Sequence, residues 1–136
     1  MTEKKTLCLD FDGVLHSYTS PWLAADCIPD PPVEGAMDFL WEALQNFHVV
    51  IFSSRSADDN GIRQMRLWIW HWARRLLPND APEYKQNAVI NAFVYNKDAF
   101  PKDKPSAFIT LDDRAITFTG EWPRMSQLLA FKPWNK

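Results

Sequence analysis

A short apolar run, Leu7 to Leu9, leads directly into the acidic segment Asp10-Phe11-Asp12-Gly13. Consecutive apolar residues are typical of a parallel strand that is covered on both faces, and Gly13 marks the turn where the strand ends. Ligands of open α/β sheets bind at the carboxyl ends of the strands. The position therefore favours a chemical role for Asp10 and Asp12, although Asp and Gly are also ordinary turn residues.

Two further apolar runs end in polar residues. Val49 to Phe52 ends in Ser53, and Phe108 to Leu111 ends in Asp112 and Asp113. Both runs predict buried strands. If the three strands lie side by side, their polar ends meet at one edge of the sheet.

These features occur in a fixed order: a strand and Asp10-x-Asp12-Gly13, a strand and Ser53, then Lys104, and a strand and Asp112-Asp113. This order resembles the haloacid dehalogenase (HAD) superfamily of phosphatases, and the match covers most of the chain. The first motif is fairly specific and the ordered set of four is much more so, whereas the Ser and the Lys would mean little alone. The resemblance implies an α/β fold: a single-domain, Rossmann-like three-layer sandwich with a mainly parallel sheet, helices on both faces and no cap domain.

The resemblance also implies catalytic roles. Asp10 is the expected nucleophile, which forms an aspartyl-phosphate, and Asp12 is the expected general acid and base. Ser53 would donate a hydrogen bond to a phosphoryl oxygen and Lys104 would offset its charge. Backbone amides complete the phosphate cradle, at Asp12, Gly13 and Ser54.

A magnesium site follows from the same resemblance, because the expected ligands are all oxygens. These are the Asp10 carboxylate, the Asp12 backbone carbonyl and Asp113, with Asp112 behind them. The order of the last two residues stays open. Arg55 and Arg114 flank two motifs, and a structural salt bridge is the expectation for each.

The 136 residues suit one domain, residues 1–136, with a real core. With 15 basic and 17 acidic residues the net charge is −2, which gives no global attraction to nucleic acid or to an anionic membrane. Cys8 and Cys27, the only cysteines, make neither a disulfide framework nor a zinc site. No apolar stretch has the length of a signal or membrane segment, so a cytoplasmic protein is expected.

Residues His16 to Pro32 are rich in proline and predict irregular chain. In the HAD superfamily this position holds a flap beside the active site or, in larger members, a cap domain that fewer than twenty residues cannot make. A plain surface connection is the alternative. His16 and Tyr18 are the best polar candidates in this segment.

The remaining periodicity predicts the scaffold. Apolar residues recur at helical spacing in two segments, Glu34 to Phe47 and Asp58 to about Leu77. The second helix is expected to bury an apolar stripe that ends at Leu76, and Ser56 or Asp58 could cap its start. Further elements are expected after the second helix: a strand, or a helical turn, at Ala88 to Tyr95, a short strand at Ile116 to Phe118, and a helix at Pro123 to Ala130.

The predicted function is magnesium-dependent hydrolysis of a phosphomonoester, with a polynucleotide end or a nucleotide as substrate. Three features favour that substrate: the missing cap, a helix face with an aromatic ring among arginines, and a Lys-Pro to Asp-Asp-Arg-Ala segment that looks like small phosphatases of polynucleotide end repair. The alternatives are a catalytically idle binding protein with the same fold and a sugar-phosphate phosphatase. The helix face, which can equally be a solvated surface, consists of Arg63, Arg66, Trp70 and Arg74.

Overall fold

The computed structural model describes residues 3–136 and has a mixed α/β fold around a small parallel sheet. Strand β1, Thr6–Leu9, lies between β2, His48–Ile51, and β3, Ile109–Leu111. The register pairs Leu9 with both Ile51 and Leu111, so the three strands end at the same level. The segments that follow them therefore emerge at one edge, as the sequence predicts.

Residues 3–136 contain four α-helices and two short 3₁₀ turns besides the strands. The first helix, α1 (Ala36–Asn46), is the crossover between β1 and β2; it begins two residues later and ends one residue earlier than expected. The side chain of Asp58 caps the second helix, α2 (Asp59–Leu76), through the amides of Asn60 and Gly61. The helices are α1 Ala36–Asn46, α2 Asp59–Leu76, α3 Lys85–Phe93 and α4 Met125–Leu129, and the 3₁₀ turns are Ser54–Ala57 and Lys97–Ala99.

One core cluster joins the sheet to the first three helices. Alternate residues of β1 and β2, Leu7, Leu9 and Ile51 among them, pack with apolar residues of α1, α2 and α3, which also contact one another. These helices therefore form a single layer on one face. The prediction of helices on both faces is not met within residues 3–136, because the remaining helix, α4, has five residues.

The prediction of a strand at Ala88 to Tyr95 is wrong, since most of this segment forms the second half of α3. Its buried residues are Val89, Ile90 and Phe93, whose spacing is helical, and the helical turn that the sequence left open is the correct reading. The segment Ile116 to Phe118 does not form a strand either.

Exposure also differs from expectation at two places. Strand β3 starts at Ile109 and is exposed along its length, because the three-helix layer covers β1 and β2 and leaves β3 uncovered. In α2 the residue Leu76 is exposed, whereas Trp68 is buried against the core. Within residues 3–136, none of the helices is both long enough and apolar enough to cross a membrane.

Candidate active site

Three carboxylates meet where β1 and β3 end. Asp10, Asp112 and Asp113 each offer an oxygen, and these oxygens all lie within 4.8 Å of one another. The backbone fixes this arrangement, because the amide of Asp10 donates a 3.0 Å hydrogen bond to the carbonyl of Leu111. Residues that are about 100 positions apart in the sequence are thus brought together by the pairing of β1 with β3.

Asp113 is the most deeply placed of the three. Its side chain is 2% exposed, and neither carboxylate oxygen has a hydrogen-bond partner within residues 3–136. Arg114 forms the expected salt bridge with Asp113, but its Nε lies 3.9 Å from Oδ2, which is too far for a hydrogen bond. A buried carboxylate without a hydrogen bond is costly, so this one fits a cation that prefers oxygen ligands, such as Mg²⁺.

Asp112 has a different environment from its neighbour. It is exposed, and its Oδ1 accepts a 2.8 Å hydrogen bond from the amide of Arg114. The turn after β3 therefore points Asp113 inward and leaves Asp112 at the solvent side. This arrangement favours Asp113 as the direct metal ligand, with Asp112 at the rim of the cluster.

Gly13 makes room for Asp113. Its φ of +79° lies in the left-handed region, and a Cβ built on it would overlap the Asp113 carboxylate. Glycine is required here both for the backbone turn and for the close approach of the second motif. The first motif and the Asp-Asp pair are therefore packed directly against each other.

The environment of Asp10 disfavours its negative charge. Burial, aided by the close Asp113 carboxyl group and by the charges of both neighbouring carboxylates, raises the pKa of Asp10 to about 8, although the amide of Phe11 donates a 2.8 Å hydrogen bond to its Oδ1. A bound cation would favour the charged form of this carboxylate. The raised pKa thus has the same origin as the candidate metal site, which is the burial and crowding of three carboxylates.

Asp12 faces away from this cluster and is paired with two side chains. The Nε of Arg55 lies 2.9 Å and 3.1 Å from its two oxygens, and His16 Nδ1 lies 2.8 Å from Oδ1. Burial opposes the charge of Asp12, but the hydrogen bonds from His16 and Arg55 outweigh it and lower the pKa of the carboxyl group. The expected salt bridge of Arg55 is confirmed, and its partner is the candidate general acid and base.

The hydrogen bonds of His16 define its tautomer. The buried ring accepts a 3.0 Å hydrogen bond at Nε2 from the amide of Asp30, so the neutral ring carries its proton on Nδ1 and donates it to Asp12. Asp30 in turn accepts two hydrogen bonds from Ser20. His16 therefore connects Asp12 to the far end of the proline-rich loop. The sequence indicates only that His16 lies near the first motif, and not that it makes this connection.

Arg55 fastens the middle of the same loop. It is 1% exposed, and its second guanidinium nitrogen, Nη1, donates 2.9 Å hydrogen bonds to three carbonyl oxygens of the loop, those of Ala24, Ala25 and Cys27. The segment from His16 to Pro32 is thus attached to the catalytic candidates by specific bonds. A plain surface connection would not need them.

Ser53 follows β2 and caps the first 3₁₀ turn. Its Oγ accepts a hydrogen bond from the amide of Arg55, and its own amide donates to Ser56 Oγ. The hydroxyl proton of Ser53 is not used in either bond and can be donated to a phosphoryl oxygen. Ser54, the next residue, is exposed at the start of the turn.

Lys104 is the one expected site residue that the structure does not join to the others. It lies exposed in the loop before β3, and no hydrogen bond or ion pair links it to the acidic cluster within the described chain. Nearby Lys102 forms an ion pair with Asp59 instead of being merely solvated. The phosphate-binding role of Lys104 stays a prediction.

The carboxyl terminus contributes contacts that the sequence does not reveal. Trp134 Nε1 donates a 2.7 Å hydrogen bond to the carbonyl of Gly13, and Asn135 Nδ2 donates a 2.9 Å bond to the carbonyl of Ser17. These residues lie 121 and 118 positions apart, and no local pattern marks the pairing. The tail therefore holds the first motif and the start of the loop from outside.

The arginine face of α2 is only partly available to a ligand. Arg66 donates hydrogen bonds to the carbonyls of Phe93 and Asn96 and lies over the Phe100 ring, so it fastens α3 to α2. Arg74 lies 4.8 Å from the centre of the Trp70 ring on the exposed side. The stem of an arginine over an aromatic ring is a common surface arrangement without any ligand.

Comparison of the chain with protein-family models, with curated proteins and with solved structures found no match.

Proposed function

We propose that this chain is a magnesium-dependent phosphomonoester hydrolase that acts through an aspartyl-phosphate on a HAD-type, Rossmann-like fold without a cap domain. The observation that carries the proposal is the Asp113 carboxylate, which is buried, lies close to Asp10 and has no hydrogen-bond partner within residues 3–136. Scaffold carboxylates are rarely buried in this state, because a buried charge without hydrogen bonds is destabilising. A site that binds a cation and an anionic phosphate explains it.

Asp10 is the nucleophile in this proposal. It lies directly after the central strand, where one oxygen is fixed by the Phe11 amide and the other is left for an electrophile. Attack of the Asp10 carboxylate on phosphorus forms the aspartyl-phosphate and releases the alcohol. Water then attacks the phosphorus of this acyl phosphate, which breaks its bond to Asp10 and releases inorganic phosphate. Ser53 donates its hydroxyl proton to a phosphoryl oxygen, and the amides of Gly13 and Ser54 complete the cradle.

In this proposal Asp12 protonates the leaving oxygen and then takes a proton from the attacking water. The lowered pKa of its carboxyl group favours the second of these roles, in which it acts as a base. Its carboxylate is held in one orientation by Arg55 and His16, so the distance to the leaving oxygen is set before substrate arrives. Arg55 and His16 act here as positioning residues. They also hold the adjacent loop at a fixed distance from the carboxylate.

Magnesium would be held by the carboxylates of Asp10 and Asp113 and by the backbone carbonyl of Asp12, with Asp112 at the rim. When bound, it would offset the charge of the phosphate and that of the carboxylate cluster.

The open site suits phosphoesters that are not enclosed by a lid. The proposed substrates are nucleotides and polynucleotide ends, and the loop from His16 to Pro32 takes the place of a cap beside them. The arginine face of α2 gives less support to a polynucleotide substrate than its sequence suggests, because Arg66 is used in the packing of α3. Nucleotides are therefore better supported as substrates than polynucleotide ends.

A catalytically idle binding protein remains the second candidate. The observation that favours it is Lys104, which lies outside the carboxylate cluster although phosphate binding would use it. Such a protein would bind a phosphorylated ligand and a metal without releasing phosphate.

A panel of phosphoesters assayed with and without magnesium separates these candidates. It should include nucleotides, sugar phosphates, and oligonucleotides with 3′- or 5′-phosphates. We expect phosphate release that stops on chelation and returns with magnesium but only poorly with calcium, whose bonds are longer and looser. Binding without release by the wild-type chain would favour the second candidate.

A further inference from the structure

Trp22 lies in the loop between β1 and α1, and its indole ring covers the guanidinium group of Arg55. The central carbon of that group lies 4.5 Å from the centre of the ring, which is the geometry of a cation–π contact. The edge of the same guanidinium group donates a hydrogen bond from Nε to Asp12. One buried arginine therefore connects the Trp22 ring to the carboxylate that handles the leaving group.

The ring is held in place without a ligand. Arg55 binds the carbonyls of Ala24 and Ala25 just after Trp22, and the bonds between Ser20 and Asp30 fasten the chain just before it. The loop also packs against α2 from behind, because a Cβ on Gly61 would lie only 3.3 Å from the carbonyl oxygen of Ala25. Trp22 is thus a preorganised side chain on a fixed loop.

Its outer face is nevertheless open. Trp22 is 45% exposed and the next residue, Leu23, is also exposed, although Arg55 beneath them is buried. To cover the ion pair of Arg55 and Asp12, the Trp22 ring needs only its inner face, which is the face that lies against Arg55. An exposed aromatic face beside a reaction centre is suited to stacking with a planar group, and such stacking tolerates different bases.

Trp70 provides a comparison within the same chain. It is also exposed and is also paired with an arginine, Arg74. That pair lies on the outer face of α2, and within residues 3–136 its side chains make no hydrogen bond to a residue of the site. Of these two rings, the ring of Trp22 is the one connected through its arginine to a catalytic candidate.

We propose that the outer face of Trp22 is a stacking platform for the base of a nucleoside phosphate, so that substrates with a planar aromatic group next to the phosphate are preferred. This inference rests on the proposed function for the position of the phosphate, which Asp10 and Ser53 hold. Trp22 then binds the part of the substrate that leaves, and acts as a specificity residue.

The test compares adenosine 5′-monophosphate with ribose 5-phosphate, which differ only in the base. Binding to the full chain carrying Asp10→Asn, with magnesium present, is measured by calorimetry, so that neither ligand is consumed. Any loss of phosphate affinity from this substitution affects both ligands equally. We expect the base to improve affinity about tenfold, since stacking one base on an aromatic ring is of this order.

Variants at Trp22 identify the source of the difference. Trp22→Leu keeps an apolar cover on Arg55 but removes the ring face, and we expect it to abolish the preference while leaving ribose 5-phosphate affinity unchanged. Trp22→Phe should retain part of the preference, and Leu23→Ala serves as the matched control on the same loop. Thermal unfolding of each variant checks that it is folded.

Three results would each overturn the proposal. The chain with an unsubstituted loop could bind both ligands with equal affinity, it could show no detectable binding of adenosine 5′-monophosphate, or Trp22→Leu could lower the affinity for both ligands equally. The phosphatase assignment fails separately. If the wild-type chain releases no phosphate from either compound but the preference still depends on Trp22, the platform stands and the hydrolase does not.

Discussion

The Nε atom of Arg55 lies 2.9 Å from Asp12 Oδ2, and Arg55 is the largest of the fully buried side chains. The ion pair joins the 3₁₀ turn after β2 to the motif after β1, and Arg55 also holds the loop that follows this motif. Removing one partner of a buried ion pair leaves the other charge uncompensated, which is strongly destabilising.

We therefore expect Arg55→Met to reduce the free energy of unfolding by about 3–5 kcal/mol. Urea denaturation measures the change. Arg63→Met is the matched control, because Arg63 is exposed on α2, and its effect should stay within about 0.5 kcal/mol. Similar small losses for both variants would contradict the structural role given to the Arg55 pair.

A second prediction concerns the contact between Gly13 and Asp113. Gly13→Ala should reduce magnesium affinity strongly, because its Cβ would displace the Asp113 carboxylate. Gly120→Ala is a sharp control: Gly120 also has a positive φ, but nothing lies within 4 Å of a Cβ at that position. Both variants carry backbone strain, so only Gly13→Ala should affect metal binding in calorimetry. Equal magnesium affinity in the two would show that Asp113 does not hold the metal.

The third prediction is a pH dependence of the metal-free protein. The pKa of Asp10 is raised to about 8 from 3.8, so the folded state binds a proton that the unfolded state has already lost. Stability from this group is complete below the lower value and is lost as the pH rises through the higher one. The lowered pKa values of Asp12 and Asp30 act only at more acidic pH.

The melting temperature of the metal-free chain should thus fall between about pH 5 and pH 8. Magnesium should raise it more at the upper end, since the cation stabilises the charged cluster. Asp113→Asn removes one of the neighbouring carboxylates and should flatten the dependence. A melting temperature that rises over this interval in the wild-type chain would be the opposite of what the cluster predicts.

The fourth prediction separates the two serines after β2. Ser53→Ala should lower kcat on the order of 10²-fold, as expected for the loss of one donor to a phosphoryl oxygen. Ser54→Ala should have little effect, because its proposed contribution is a backbone amide. The assay is steady-state hydrolysis of a nucleotide with magnesium. If instead only Ser54→Ala is impaired, the phosphate contact belongs to Ser54.

The pattern of apolar runs predicts the core of this fold well. Runs that end in Asp10 and Ser53 form the buried strands β1 and β2, and the periodicity of α1 and α2 is confirmed nearly to the residue. Each of these elements buries one face against a neighbouring element of the same core cluster. Local sequence is informative where burial follows the period of the element.

The errors occur where burial depends on distant neighbours. Strand β3 has the composition of a buried strand, but the helix layer covers β1 and β2 and not β3. Val89 and Ile90 are compatible with a strand or a helix by local pattern, and the helical form is the one that packs on α2. Periodicity carries no information about which element lies beside a strand.

The candidate site shows the same division. The carboxylates of Asp10, Asp112 and Asp113 converge as strand ends should, and the salt bridge expected of Arg55 exists. The contacts of Arg55 with loop carbonyls and of Trp134 with Gly13 were not predictable, because they join backbone oxygens to side chains far along the chain. Such bonds leave no pattern in the sequence.

Asp10 is the group proposed to attack phosphorus. This is tested by measuring magnesium-dependent phosphate release from a nucleotide for the wild-type chain and for Asp10→Asn in parallel, with the acid-quenched protein analysed by peptide mass spectrometry. We expect release and a phosphorylated Asp10 peptide in the wild-type chain only, with a cooperative unfolding transition in both proteins. Retained phosphate release by Asp10→Asn would contradict the role of Asp10 as nucleophile.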